Sequence, residues 1–308
     1  MYLPGVYTAA QIMSGLAVLQ AQNLVLTNDD GWAVAQIRAQ YAALTNAGFE
    51  VVLSSPAENM SGTGSSTATP IPLIIPCEYD SCPAGSPAYG CNASEPHFNY
   101  VNAYPVDAAR YGVDTLAPQF FNGSAPDLVV SGPNIGTNLG VIVQFSGTVG
   151  AAAEAAKLGI PSIAFAGSSG SQVSYTTLES TPNATSTLSS YIYSVLTVHF
   201  TQTLINGGSG PILPSGVLVN VNYPAIDDCP DASDYEWVFS RNLYDIFATD
   251  VSTCGSTVLP TETSVVDTSG CYASVSVLDA YTKIDVNSTI QAAVLERLGA
   301  LPLSCLPS

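Results

Sequence analysis

The chain has 308 residues with 6 Lys+Arg against 24 Asp+Glu, a formal net charge of −18. That balance argues against nucleic-acid polymers or anionic membranes as partners, because both are held chiefly by clustered basic side chains. At 47% hydrophobic the chain can bury a large core, and its length suits one large α/β domain with appendages or about two domains. Residues 1–22 contain a short apolar run, Ile12 to Leu19, ending in small residues near Ala21, the outline of a leader segment without a basic start. No stretch approaches the roughly 18 to 20 apolar residues of a membrane span, so a soluble mature protein without a membrane partner is expected.

From Asn23 to Thr27, NLVLT reads as a buried strand that stops at Asn28-Asp29-Asp30-Gly31. Val34, Ile37, Tyr41 and Leu44, three and four residues apart, predict a helix over Trp32 to Asn46, with Gly48 as its stop before a strand over Glu50 to Ser54. The two apolar strands and the intervening helix make a βαβ unit suited to a parallel sheet. Pro56 to Pro76 reads as a loop, and the cysteine-bearing stretch 77–126, which shows little periodicity, as an insertion.

Regular structure resumes with a strand over Asp127 to Ser131, the glycine-rich loop Gly132 to Gly140, and an Ala-rich helix over Ser146 to Leu158. A strand over Ser162 to Ala166, a helix over Ala184 to Leu204 and a strand over Gly216 to Asn222 follow. Beyond Pro224 come alternating segments, Tyr235 to Ser240 and Tyr272 to Leu278, then a helix over Ser288 to Leu298. The pattern predicts an α/β fold, a Rossmann-like doubly wound parallel core over 23–225, with a more antiparallel, β-rich carboxyl-terminal extension over 226–308.

Seven cysteines without a C-x-x-C pair, beside only two histidines (His97 and His199), disfavour a structural zinc site and point to disulfides. Five N-x-S/T sequons (Asn59, Asn92, Asn122, Asn183, Asn287) agree with a secreted, extracellular glycoprotein. The odd count leaves at least one thiol free or paired between chains.

Ligands of open parallel sheets gather beyond the carboxyl ends of the strands. Asp29 and Asp30 stand at such an end, and adjacent buried carboxylates repel each other unless a counter-charge is supplied. With so few basic residues, a divalent cation (Mg²⁺, Mn²⁺ or Ca²⁺) held by carboxylate, hydroxyl and amide oxygens answers that need. The plainer reading makes Asp30-Gly31 turn chemistry and a helix cap. Ser61 to Ser66 could line an anion with backbone N–H groups or form a simple linker. Asn134 and Asn138 lie in the tight loop SGPNIGTNLG, and Ser146-Gly147-Thr148 opens a helix whose N–H groups and dipole favour phosphate, or serves only as an N-cap.

LTNDDGW, SPAENMSGTGSS, DLVVSGPNIGTNLG and FSGTVGAAAEAAKLGIPSIA, in that order, resemble the SurE family of survival-protein nucleotidases and related acid phosphatases. GVLVNVNYPA and GCYASVSVL extend the resemblance over about residues 23–280. It implies a metal-dependent phosphomonoesterase acting on nucleoside monophosphates or similar esters. Its metal ligands would be Asp29, Asp30, Ser61 and Asn134, with the two aspartates also candidates for the proton-accepting or nucleophilic role. Asn138, Ser146, Gly147 and Thr148 match positions lining the family's phosphate pocket. The resemblance further implies a carboxyl-terminal arm exchanged between subunits, hence a homodimer or higher oligomer.

Val141-Ile142-Val143 depart from the acidic residues that many relatives carry after NLG, while the cysteines and sequons resemble the fungal-type secreted branch. Asn59-Met60-Ser61 is itself a sequon, and a glycan there would crowd Ser61, so Asn59 is expected to be unmodified if Ser61 is a ligand. One alternative is a secreted ligand-binding protein on the same fold without turnover, although every ligand position is retained. A nucleotide-sugar transferase fits less well, with one short phosphate turn and no basic residue beside it. Neither R-H-G nor G-x-S-x-G occurs, which disfavours histidine-nucleophile phosphatases and serine hydrolases.

Overall fold

A computed structural model describes residues 21–307, so the leader expected over 1–22 lies outside the described residues except for its last two positions. The apolar runs become strands β1 (Asn23–Thr27), β2 (Glu50–Pro56), β3 (Tyr89–Asn92), β4 (Glu95–Val101), β5 (Leu128–Ile135), β6 (Ser162–Gly167), β7 (Val217–Tyr223), β8 (Glu236–Phe239) and β9 (Tyr272–Asp279). Among the described residues they form one nine-stranded sheet, ordered β3-β4-β2-β1-β5-β6-β7-β9-β8. The run from β4 to β7 is parallel, whereas β3 is antiparallel to β4 and β9 to β7.

The helices are α1 (Ala35–Asn46), α2 (Pro105–Tyr111), α3 (Ala117–Phe120), α4 (Gly147–Lys157), α5 (Thr177–Ser180), α6 (Thr185–Asn206), α7 (Glu262–Val266) and α8 (Ser288–Arg297). Alternation along β1 assigns them to layers, because successive side chains point to opposite faces. Leu24 and Leu26 enter the large core shared with Ile37 and Leu44 of α1 and Phe200 of α6. Val25 points the other way, toward Val113, Leu116 and Phe121 around α3, and α4 packs on that same face against β5 and β6. Both faces of the parallel strands are therefore dry, which is why those strands read as continuous apolar runs.

The structure departs from sequence expectation in three places. Residues 77–126 contain β3, β4, α2 and α3, and β4 pairs with β2 in the main sheet. That strand, EPHFNYV, carries a proline, and only Asn99 to Val101 at its end is buried, so neither periodic template registers it. The next helix, α2, is too short at 7 residues to show a period.

Helix α1 begins at Ala35 rather than Trp32, because Trp32 and Ala33 form a turn and Val34 is extended: Trp32 N–H donates to Pro56 O (3.0 Å), and Val34 bridges Ser174. Thirdly, β9 lies directly on β7, so part of the segment after 226 completes the central sheet.

Disulfides join Cys77–Cys82, Cys229–Cys271 and Cys254–Cys305, leaving Cys91 as an exposed thiol, in keeping with the odd count. No helix among the described residues is long and apolar enough to cross a membrane.

Candidate active site

Strand β1 pairs with β2 on one side and β5 on the other, and the chain crosses between them, so the carboxyl ends of β1 and β5 frame the crevice where such sheets bind ligands. Asn28, Asp29 and Asp30 leave β1 there, all buried. Asn28 shapes the turn, donating to Gly31 O (2.9 Å) and accepting from Gly31 N–H (3.3 Å).

Asp29 points toward the start of α4, where its Oδ1 accepts from the Thr148 hydroxyl. Gly147 leaves room for it, since a Cβ there would stand 2.8 Å from Asp29 Cβ and 2.9 Å from Pro105 Cγ. Ser146 caps the helix, its Oγ accepting from Val149 N–H at 3.0 Å. Asp30 points toward β5: Ile135 N–H donates to its Oδ2 at 3.0 Å, and the Gln172 side-chain amide donates to its Oδ1.

Burial raises the carboxyl pKa of Asp29, opposed by the hydroxyl of Thr148 and nearby backbone N–H groups. Burial again, then the charge of Asp29, pushes Asp30 well above the usual carboxylate range. None of the six basic side chains forms an ion pair with either aspartate.

Asn134 is buried, its amide NH₂ donating to Gly136 O at 2.6 Å while its Oδ1 has no partner. Asn134 precedes Ile135, whose N–H binds Asp30, so a buried amide oxygen without a partner and two carboxylates without a basic partner offer oxygens of the kind a hard cation takes. No cluster of three His, Cys, Asp or Glu side chains suited to a metal occurs among the described residues, so amide or hydroxyl oxygens would have to complete such a site. The sequence-predicted Ser61 lies on the adjoining loop, tethered by Met60 N–H to Asp29 O (2.7 Å) and Gly64 N–H to Phe145 O (2.8 Å). Its own backbone N–H is held by Asn59 Oδ1 (2.8 Å), and its side chain is exposed and bonds to neither aspartate.

Asn138 is also buried, with its side-chain NH₂ unpartnered. A set of residues missed at the sequence level fixes its backbone. Asn222 Oδ1 accepts from Asn138 N–H (2.7 Å), and the amides of Asn220 and Asn222 both donate to Asn138 O (3.0 and 3.2 Å). Asn220 also donates to Glu262 Oε1 (2.8 Å), and Gly140 N–H approaches Glu262 Oε2 (3.4 Å). Two asparagines two apart in the apolar strand GVLVNVN were the available signal. Gln172, on an irregular segment, and Glu262, opening the five-residue α7, offered none. His97 pairs with Glu95 (3.0 Å) and His199 faces Trp237, as structural rather than ligand histidines.

Glu262 is fully buried, and burial raises its pKa from 4.5 to about 8. A carboxyl whose folded pKa exceeds its unfolded value favours folding fully below the unfolded pKa and loses that contribution as pH rises through the folded one. Between pH 5 and 8 the thermal midpoint in chelator is therefore expected to fall by at least about 5 °C. Glu262→Gln should flatten part of that slope, and differential scanning calorimetry of both proteins across the range reads it. An unchanged slope in the variant would show that Glu262 is not among the titrating groups.

A family model for "Survival protein SurE" matches residues 24–242. An acid phosphatase of Yarrowia lipolytica is 34% identical over 285 residues, covering 83% of this chain and 78% of that protein. A 5'-nucleotidase SurE of Lawsonia intracellularis is 31% identical over 204 residues, 66% of each chain. The crystal structure of the SurE protein from Aquifex aeolicus shares the fold, with a TM-score of 0.59 and 23% identity over 84% of this chain and 93% of that one. With the match running from β1 past β8 and taking in both strand ends that frame the crevice, the chain belongs to the SurE family.

Proposed function

We propose that this protein is a divalent-metal-dependent phosphomonoesterase that hydrolyses small phosphate esters, nucleoside monophosphates among them, outside the cell. The observation that carries this reading is the buried pair Asp29 and Asp30, which lacks a basic partner, together with the unpartnered Oδ1 of Asn134, the residue before the Ile135 that binds Asp30. The names of the Yarrowia and Lawsonia relatives support the reaction class. Disulfides among six of the seven cysteines support an oxidising compartment.

Asp29, Asp30 and Asn134, with Ser61 from the tethered loop, would hold Mg²⁺, Mn²⁺ or Ca²⁺. Such an ion supplies Lewis-acid polarisation of a phosphate oxygen. The NH₂ of Asn138 is free to donate to a phosphoryl oxygen, and Asn220 and Asn222 keep its backbone from shifting. The positive end of α4, at Ser146, Gly147 and Thr148, favours the negatively charged phosphoryl group beside Asp29. In this reading one of the two aspartates would accept the proton of an attacking water. The carboxyl-terminal segment as an arm between two or more copies belongs to the same reading, and sedimentation would measure it.

Phosphate release from AMP and an aryl phosphate, measured on metal-stripped protein over pH 4 to 8 with each ion added back, tests the assignment. Activity is expected to return with metal in the wild type and to stay absent in Asp29→Asn. Folded, metal-loaded wild type that releases no phosphate would instead favour a ligand-binding protein on this fold.

A further inference from the structure

The short loop closed by Cys77–Cys82 lies over the same strand ends as the aspartate pair. Glu78 N–H donates to Ala57 O (3.1 Å), immediately after β2. The Glu78 carboxylate accepts from Ala33 N–H (2.5 Å) and packs against Gly31, where the backbone φ is +110° and a Cβ would collide with it. Trp32 Nε1–H donates to Ser81 Oγ (2.9 Å). Every anchor of the loop thus falls on Gly31, Trp32 and Ala33, the residues that directly follow Asp30, or on the end of β2.

At the tip is Tyr79. It and Asp80 both adopt left-handed backbone (φ 54° and 53°), uncommon for an aromatic residue and held here by the disulfide and by the anchors on both sides. The Tyr79 side chain is 43% exposed, and among the described residues it makes no hydrogen bond, aromatic pair or cation–π contact. It directly follows Glu78, whose carboxylate packs on Gly31 next to Asp30, and burial, then the charges of Glu78 and Asp30, raises its phenol to about 12.

The surroundings suggest what such a ring is for. With a net charge of −18 and no basic side chain on the aspartates, little binding energy for an anionic ester can come from ion pairing with the protein. Affinity for the alcohol half of the ester then has to come from apolar or stacking contact, for which a tyrosine gives large area at low conformational cost. The rim is also apolar on the stretch between Asn138 and Ser146, where Val141, Ile142 and Phe145 are 68%, 52% and 65% exposed.

We propose that Tyr79 is a specificity residue, its ring stacking on the aromatic part of the leaving alcohol, the nucleobase of a nucleoside or the ring of a phenol, of a phosphomonoester bound at Asp29 and Asp30. The proposal rests on the phosphomonoesterase reading above, and its test separates the two. Tyr79→Ala, Tyr79→Phe and wild type are compared on AMP, 4-nitrophenyl phosphate and glycerol 2-phosphate, and each metal-free protein is titrated with adenosine. Tyr79→Ala is expected to raise KM for the two aromatic esters about tenfold while leaving glycerol 2-phosphate within about twofold. Tyr79→Phe should match wild type, and adenosine binding should weaken only in Tyr79→Ala. Equal losses on all three esters, or unchanged KM on the aromatic two, would overturn the role of Tyr79. Wild type inactive on every ester would defeat the phosphomonoesterase reading, and the adenosine titration would still decide the stacking site.

Discussion

Asp30→Asn is expected to abolish phosphate release and at the same time to raise the thermal midpoint of the metal-free protein. The carboxyl is fully buried beside Asp29 with no basic partner, so in the absence of a cation the fold must either hold two like charges in a dry crevice or bind a proton that the unfolded chain does not hold near neutral pH, and either costs stability. Asparagine keeps the shape. Its Oδ1 can still accept from Ile135 N–H, and its NH₂ can face the Gln172 amide after that amide turns over. What disappears is an ionisable group, which the fold does not need and the proposed cation does.

Removing even an outer partner of a metal site typically costs 10–100-fold, so loss of a direct oxygen ligand should cost at least about 100-fold in kcat/KM. The midpoint in chelator should rise by roughly 2–4 °C for each kcal/mol of repulsion relieved. Calorimetry and the phosphate assay on the same preparation read both. A variant that loses activity and stability together would make Asp30 a structural residue, and full activity would remove it from the site.

The second large effect concerns the carboxyl-terminal disulfides. Cys229–Cys271 and Cys254–Cys305 close sequence separations of 42 and 51 residues, against only 5 for Cys77–Cys82. In the chain-entropy account, loops of that size make each long disulfide worth about 4 kcal/mol. Cys229→Ser with Cys271→Ser is therefore expected to lower the thermal midpoint by roughly 10 °C.

Function should suffer as well. Cys271 leads directly into β9, and Glu262, nine residues earlier, holds Asn220 and approaches Gly140. Unpinning that segment loosens the backbone of Asn138, so kcat/KM is expected to fall even where the variant remains folded. Thiol titration of the unfolded, unreduced wild type provides the companion check. It should find one reactive group, Cys91, and a count of three or more would mean that a disulfide is absent in the protein as isolated.

Much of the fold was legible because its signals are local. NLVLT and GVLVNVN are each long enough to show continuous burial, and the helix opened by Ser146 carries its own cap and Ala-rich body. The order of such units specifies a doubly wound parallel sheet, and the polar residues at strand ends, Asp29, Asp30, Asn134 and Asn138, follow from that topology. Strand β4, which lies between β3 and β2, escaped because only its last three residues are buried and it contains Pro96.

What no local pattern could supply is which side chains meet. Gln172 reaches Asp30 across 142 positions, Glu262 reaches Asn220 across 42, and Asn222 reaches Asn138 across 84. The sequence by itself thus determined most of the parallel strands, the strand ends that frame the crevice and the acidic pair at one of them. Only the tertiary structure decided how that pair is held, that the Asn134 amide oxygen is left without a partner, and that the disulfide loop carrying Tyr79 is anchored on the residues that follow Asp30. Burial patterns repeat every two or 3.6 residues and can be read along the chain, whereas a hydrogen bond between distant segments exists only once the sheet has brought them together.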